Sequence, residues 1–207
     1  LLAFAATANA ETIASGYCGG EGDGTNLTWT LDSEGTLTIS GRGKMKDYNA
    51  YSGQLAPWCE DTYRPSLKKL VLSNGVSTIG FTAFYNCSGF TGRLTIPNSV
   101  YYIMGSAFYG CSGFTGDLVI PDYVTFIGND AFRDCSGFNG TLTLSRNLTE
   151  IGQAVFCGCN GLSGTLVIPD KVTSIGNSAF YNCRGFSGTL VIPDGVTSIG
   201  YTAFCFC

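Results

Sequence analysis

The chain has 207 residues, a net charge of −4 with only 13% charged side chains, and no histidine. That length suits one buried core, alone or with a small extra module, and the weak negative charge offers no basic patch to nucleic acid or to an anionic membrane. Without histidine the commonest general base, the imidazole-dependent serine and cysteine triads and the commonest metal ligand are all missing.

Residues 1–10, LLAFAATANA, are apolar and end in Ala8-Asn9-Ala10 ahead of Glu11. Small residues at alternate positions after an apolar run read as the tail of a secretory signal peptide, which points to a secreted or cell-surface protein. No other stretch reaches the roughly 18 apolar residues of a membrane span. In residues 11–65, Leu27, Trp29 and Leu31, then Leu37 and Ile39, alternate with polar residues around Asp32-Ser33-Glu34-Gly35. This is the pattern of a β-hairpin with a glycine-terminated turn. Tyr48, Tyr51, Leu55 and Trp58 follow without regular spacing. An aromatic-rich hairpin module ahead of a repeat array is expected to cover its first apolar end.

Residues 66–207 repeat. LVIPDKVTSIGNSAFYNC from Leu166 returns as LVIPDGVTSIGYTAFCFC from Leu190, and steps of 24 residues recover Leu142, Leu118, Leu94 and Leu70. The same step aligns Phe84, Phe108, Phe132, Phe156, Phe180 and Phe204, and also Cys87, Cys111, Cys135, Cys159, Cys183 and Cys207. A period of this size marks a solenoid in which each rung buries its apolar side chains only against its neighbours. In each rung L-x-I/L predicts a short strand, ended by Pro97 and its counterparts, and Val100-x-x-Ile103 predicts a turn. Ile79, Ala83 and Cys87 lie four residues apart, which predicts one or two helical turns. Gly89, Gly113, Gly137, Gly161 and Gly185 are placed as left-handed helix ends.

The repeat L-x-I-P-x-x-V-x-x-I-G-x-x-A-F-x-x-C stands here as Leu94-Thr95-Ile96-Pro97, Ile175-Gly176, Ala179-Phe180 and Cys183, with sister copies, and it resembles the BspA-like class of leucine-rich repeat proteins. The opening NLTWTLDSEGTLTISGRGKMKDY is similar to a module that often precedes such repeats in secreted bacterial proteins. Met104 in place of glycine, Val155 in place of alanine and Arg146 in an Asn/Asp column are the departures. The expected architecture is an α/β solenoid: a right-handed coil of about six 24-residue rungs, a parallel sheet on one face, helical turns on the other and a β-hairpin N-terminal cap. The resemblance implies a bacterial surface or secreted protein, with relatives that include adhesins contacting host proteins. It carries over no catalytic residue and no cofactor.

Cysteines in one column of a parallel stack have side chains running side by side, whereas a disulfide needs them to converge, so the six ladder cysteines are expected to be buried free thiols. Cys18 and Cys59 fall in the N-terminal module and are the pair placed to staple it. Cys157-x-Cys159 and Cys205-x-Cys207 lack zinc-site spacing, and Asp117, Asp122, Asp130 and Asp134 are expected to be solvated charges with no shared cleft. The outward strand column Val71, Thr95, Val119, Thr143, Val167, Val191, flanked by Lys69, Arg93 and Asp117, serves as ordinary strand surface or as a flat strip for a partner. Tyr101, Tyr102, Tyr123 and Phe126 break columns that Thr173, Ser174, Thr197 and Ser198 keep polar. They form either a stabilising aromatic contact or an interface anchor. The expected function is non-enzymatic binding of a protein or glycan through one of these surfaces, the alternative being a spacer that presents another domain. The last rung ends without a polar cover, so further repeats or another domain are expected to follow.

Overall fold

The structure, a computed structural model, describes residues 10–207; residues 1–9, on which most of the leader-peptide reading falls, lie outside the described residues. Strands β1 (Thr12–Tyr17), β2 (Leu27–Asp32) and β3 (Thr36–Gly41) form an antiparallel meander. Leu27, Trp29 and Leu31 bury one face of β2 while Thr28 and Thr30 face out, the period-two pattern of a half-buried strand. Asp32 closes the hairpin, its carboxylate accepting the amides of Glu34 at 3.0 Å and Thr36 at 2.8 Å. Strand β1 was not legible in the sequence, because its six residues are exposed or half-buried and carry no apolar alternation.

Strand β4 (Gly43–Lys44) precedes three short 3₁₀ turns, and β3 then pairs in parallel with β5 (Lys69–Leu72), setting Leu37 beside Leu70 and Ile39 beside Leu72. The sheet of the N-terminal module therefore runs directly into the first rung. β6 (Val76–Ile79), β7 (Tyr102–Ile103) and β9 (Phe126–Ile127) extend β4 into a second parallel sheet. Beside them β8 (Leu118–Val119) pairs with β10 (Leu142–Thr143), and a Val167–Val191 bridge continues that column. β11 (Glu150–Ile151), β13 (Ser174–Ile175) and β15 (Ser198–Ile199) continue the second column, and β12 (Ser163–Gly164) with β14 (Gly185–Phe186) make a third. The V-x-x-I segment expected to turn is thus itself a strand column. Its isoleucines Ile103, Ile127, Ile151 and Ile175 point into the core beside those of L-x-I.

The expected helical turns are absent: among the described residues there is no α-helix. Around A-F-x-x-C the chain instead alternates its amides between two kinds of bond. Thr82, Phe84 and Asn86 donate to Gly105, Ala107 and Tyr109 of the next rung at 3.1, 2.8 and 2.7 Å, while Ala83, Tyr85 and Cys87 donate within their own rung to Gly80, Thr82 and Phe84 at 3.2, 3.2 and 3.1 Å. Every second amide thus joins rungs and the others close tight turns. Thr82, Asn86, Ser106, Asp130, Asp134, Ser178 and Asn182 take positive φ between 49° and 61°, as the third residue of a type II turn requires. The four-residue spacing of Ile79, Ala83 and Cys87 mimics a helix because consecutive turns return the chain to the core at nearly the same interval.

The Gly89 column also has a different cause. None of Gly89, Gly113, Gly137, Gly161 and Gly185 has a positive φ, and a Cβ on Gly113, Gly161 or Gly185 would stand 2.3 Å from the carbonyl oxygen of Phe90, Phe138 or Leu162 one rung back. These glycines let one rung lie against the next. Inside the coil, Phe84, Phe108, Phe132, Phe156, Phe180 and Phe204 stack with centroids 5.2 to 5.7 Å apart and planes within 14°. A second file of Phe90, Phe114 and Phe138 stacks beside it at 5.5 and 6.0 Å. Each fully buried phenylalanine contributes about 1.5–3 kcal/mol through area removed from water, and each stacked pair about 0.5–1.5 kcal/mol more.

Candidate functional site

The stacked rungs bring the outward residues of L-x-I into one line. The inward neighbours Leu118, Ile120, Leu142 and Leu144 are buried, so alternation turns Val119 and Thr143 to solvent. Thr95, Val119, Thr143, Val167 and Val191 are all exposed, Val167 and Val191 at 66% and 67%, whereas Val71 at the head of the column is half-buried. A groove of about 260 Å³ lined by Arg93, Thr95, Asp117 and Val119 runs beside the strip, and one of about 230 Å³ by Thr165, Val167, Asp170 and Val191 continues it.

The charges of Arg93 and Asp117 on this strip are already engaged. Arg93 forms an ion pair with Asp117 at 3.4 Å, and Asp117 accepts both the amide and the hydroxyl of Thr141 at 2.9 and 3.0 Å. The Thr141 bonds, aided by Arg93, hold the Asp117 carboxyl below the usual carboxylate range. Asp122 is lowered likewise by its bonds to Arg146 of the next rung, and Asp130 bonds Arg133 at 3.1 Å. The carboxylates expected to be simply solvated therefore act as ties between and within rungs, and the strip they leave is apolar and weakly charged.

The four aromatic candidates come together as two edge-to-face pairs. Tyr101 lies 6.4 Å from Tyr123, and Tyr102 lies 6.5 Å from Phe126, the second pair set opposite each other on β7 and β9. Tyr101, Tyr102 and Tyr123 are each about half exposed, Phe126 less so. Tyr101 also walls a groove of about 450 Å³ shared with Arg42, Asn74, Ser77 and Ser99. Those polar residues were not singled out in the sequence, because they come from the N-terminal module and two separate rungs and meet only when the coil closes.

All ten cysteines are free thiols in the structure, and Cys18 and Cys59 are both buried. The ladder thiols have a role that composition does not reveal. Cys111, Cys135, Cys159 and Cys183 each donate S–H to the carbonyl of Phe84, Phe108, Phe132 or Phe156 at 3.0 to 3.1 Å. Among the described residues no group of three or more histidine, cysteine or acidic side chains is placed to hold a metal ion, and no helix is long and apolar enough to cross a membrane.

With strands, turns and files in place, the architecture is that of a leucine-rich repeat scaffold. Residues 62–187 match the family described as the BspA type leucine rich repeat region, in 6 copies, and the chain belongs to it. No curated protein matches the chain. Among solved structures it is similar to a leucine rich cell surface protein from Faecalibacterium prausnitzii A2-165, at 29% identity and a TM-score of 0.62, covering 90% of this chain and 52% of that one. A leucine-rich repeat protein from Bacteroides ovatus ATCC 8483 shares the fold at 18% identity and a TM-score of 0.53, covering 84% of this chain and 60% of that one. This chain thus spans about half the length of the first.

Proposed function

We propose that the chain is a non-enzymatic binding scaffold, secreted or held at the cell surface, that docks a protein partner on the Thr95–Val191 strip and the adjoining tyrosine pairs. The observation that carries this reading is the exposure of Val167 and Val191 in line with Val119 on one flat strand face. Single exposed apolar residues are ordinary, but a file of them on a rigid face is a place to dock. The tyrosines add rigid, part-polar anchors of the kind enriched at interface centres. The similar F. prausnitzii structure is described as a cell surface protein, which supports the location. Residues 11–65 act here as the cover of the first rung. A spacer role is the second reading, favoured by the way Arg93, Asp117 and Thr141 already satisfy one another.

The test is surface plasmon resonance against extracellular-matrix and mucus proteins, with Tyr102→Ala/Phe126→Ala and Val167→Lys/Val191→Lys as double variants. Docking predicts at least about tenfold weaker binding, the loss of one hot-spot contact, by one of the pairs at unchanged Tm. A lowered Tm with unchanged binding assigns the aromatics to rung stability and overturns the docking role. No binding by the parent chain leaves the spacer as the function.

A further inference from the structure

Every arginine but Arg42 has a partner. Arg64 Nε donates to the Cys59 carbonyl at 2.8 Å, Arg93 pairs with Asp117 and Arg146 with Asp122, Arg133 bonds Asp130 at 3.1 Å, and Arg184 donates to the Asn182 carboxamide at 2.6 Å. Arg42 is exposed and makes no ion pair and no side-chain hydrogen bond among the described residues, although the chain carries 15 acidic side chains against 11 basic ones. Glu21, whose carboxylate accepts the nearby Lys44 amide at 3.0 Å, does not pair with it. An exposed arginine is ordinary, but this one stands in the wall of the groove of about 450 Å³ that Tyr101 also lines.

The frame of that groove is fixed by backbone. Gly41, Gly43 and Gly75 have φ of +116°, +110° and +125°. A Cβ on Gly41 would stand 2.3 Å from the Asn26 carbonyl oxygen, and one on Gly75 2.4 Å from that of Gly41. The Asn26 carboxamide donates to the Arg42 and Lys44 carbonyls at 3.1 and 3.2 Å, holding the chain on both sides of Gly43. Ser99 Oγ accepts the Gly75 amide at 3.0 Å and donates to the Val76 carbonyl at 2.8 Å. The frame is thus satisfied, and the side-chain tips around it are not. The Arg42 guanidinium, the Asn74 carboxamide and the hydroxyls of Ser77 and Tyr101 have no hydrogen-bond partner among the described residues, and Tyr101 is 47% exposed.

The geometry points to this groove as a binding site for a carboxylate-bearing sugar, a hexuronic or sialic acid. The planar guanidinium fork matches a carboxylate with two parallel hydrogen bonds. Asn74 and Ser77 offer donors and acceptors to ring hydroxyls, and the Tyr101 ring suits the apolar C–H face of a pyranose. The volume lies in the range of small-molecule sites. No aliphatic side chain lines the groove, so it has no subsite for the apolar residues of a peptide. The site shares Tyr101 with the proposed docking face but does not rest on docking there.

The experiment titrates the whole chain, without any protein partner, with methyl glucuronide, N-acetylneuraminic acid and methyl glucoside, the neutral counterpart of the first, and reads binding by ligand-observed NMR. The expected result is saturable binding of at least one acid, at least about tenfold tighter than methyl glucoside, as one charge-assisted contact predicts, and weakened by added salt. Arg42→Gln removes the charge and is expected to abolish the preference for the acid at unchanged Tm. Asn74→Ala is expected to weaken acid binding by about three- to tenfold. Equal binding of methyl glucoside and both acids, no saturable binding of either acid, or a preference that survives Arg42→Gln overturns the site. Acetate bound as tightly as the acids reduces it to ion pairing with a solvated arginine and overturns the sugar assignment. The comparison of acid with glucoside is made on the unsubstituted chain, so it does not depend on how a variant folds. Protein docking is read separately with protein partners, so the two readings fail independently.

Discussion

A buried cysteine in this coil is a hydrogen-bond donor as much as an apolar filler. Cys135 is fully buried and donates to the Phe108 carbonyl at 3.0 Å, giving a second donor to an oxygen that already accepts the Cys111 amide at 3.1 Å. Cys135→Ala removes both the donor and volume, and is expected to lower the unfolding free energy by about 2 kcal/mol. Cys135→Ser restores a donor and should cost less than the alanine; denaturant titration of the two variants checks the order. The same burial sets a pH dependence. Cys111, Cys135, Cys159 and Cys183 are all held well above the usual thiol value of 9.0, with desolvation the first cause in each. The folded chain keeps these protons, while the unfolded chain releases them above about pH 9, so the unfolded state binds fewer protons there and stability falls as pH rises. The thiol contribution is complete below about pH 9 and is lost above it at roughly 1.4 kcal/mol per pH unit for each thiol. Thermal melts in reductant are therefore expected to be flat near neutrality and to drop steeply above about pH 9. An unchanged Tm at about pH 10.5 would contradict the thiols' protonated burial.

At the scale of the rung, contact distance between backbones decides which glycines matter. A Cβ on Gly137 would lie 2.1 Å from the Ser112 carbonyl oxygen and 2.6 Å from that of Phe114, backbone on both sides, whereas one on Gly53 meets nothing within 4 Å although its φ is +80°. Gly137→Ala must push two rungs apart and is expected to cost about 3 kcal/mol. Gly53→Ala meets only the left-handed backbone penalty of about 1–2 kcal/mol. Equal losses from the two in parallel thermal melts would sink the close-packing account. These glycines also mark what could be read beforehand. The period was legible because each rung must place its Leu, Ile, Phe and Cys in the same shared interior, and burial at fixed columns leaves a pattern in any single sequence. The turn ladder was not legible, because Thr82, Ser106, Ala154 and Thr202 adopt positive φ although none is a residue type that advertises it, and interval four looks the same in a helix and in paired turns. The exposed strand strip was legible as a column, since alternation alone turns Val119 and Val167 outward. The groove at Tyr101 was not, because it joins segments with no common repeat position.

Over the whole molecule, stability is expected to be a sum of rung terms and nearest-neighbour terms, since each rung touches only those beside it. The phenylalanine file makes this measurable. Phe132 and Phe156 are direct neighbours, 5.7 Å apart with planes at 6°, while Phe84 and Phe180 belong to the same file but are separated by the stacked rings of Phe108, Phe132 and Phe156. Leucine keeps an apolar side chain at each site but abolishes the ring–ring term, so each single Phe→Leu is expected to cost about 1–2 kcal/mol and to leave the chain folded. In a double-mutant cycle, Phe132→Leu with Phe156→Leu should show a coupling of about 0.5–1.5 kcal/mol, the stacking contribution counted once and lost once. Phe84→Leu with Phe180→Leu should add within about 0.5 kcal/mol, because no contact is shared. Coupling of similar size in both cycles would mean that the file transmits strain along its length, and that the coil behaves as one cooperative body in which distant rungs are not independent. Coupling confined to the neighbours would place the cooperativity of the coil in the interfaces between adjacent rungs, which is where the glycine contacts, the thiol bonds and the alternate amides of the turn ladder all lie.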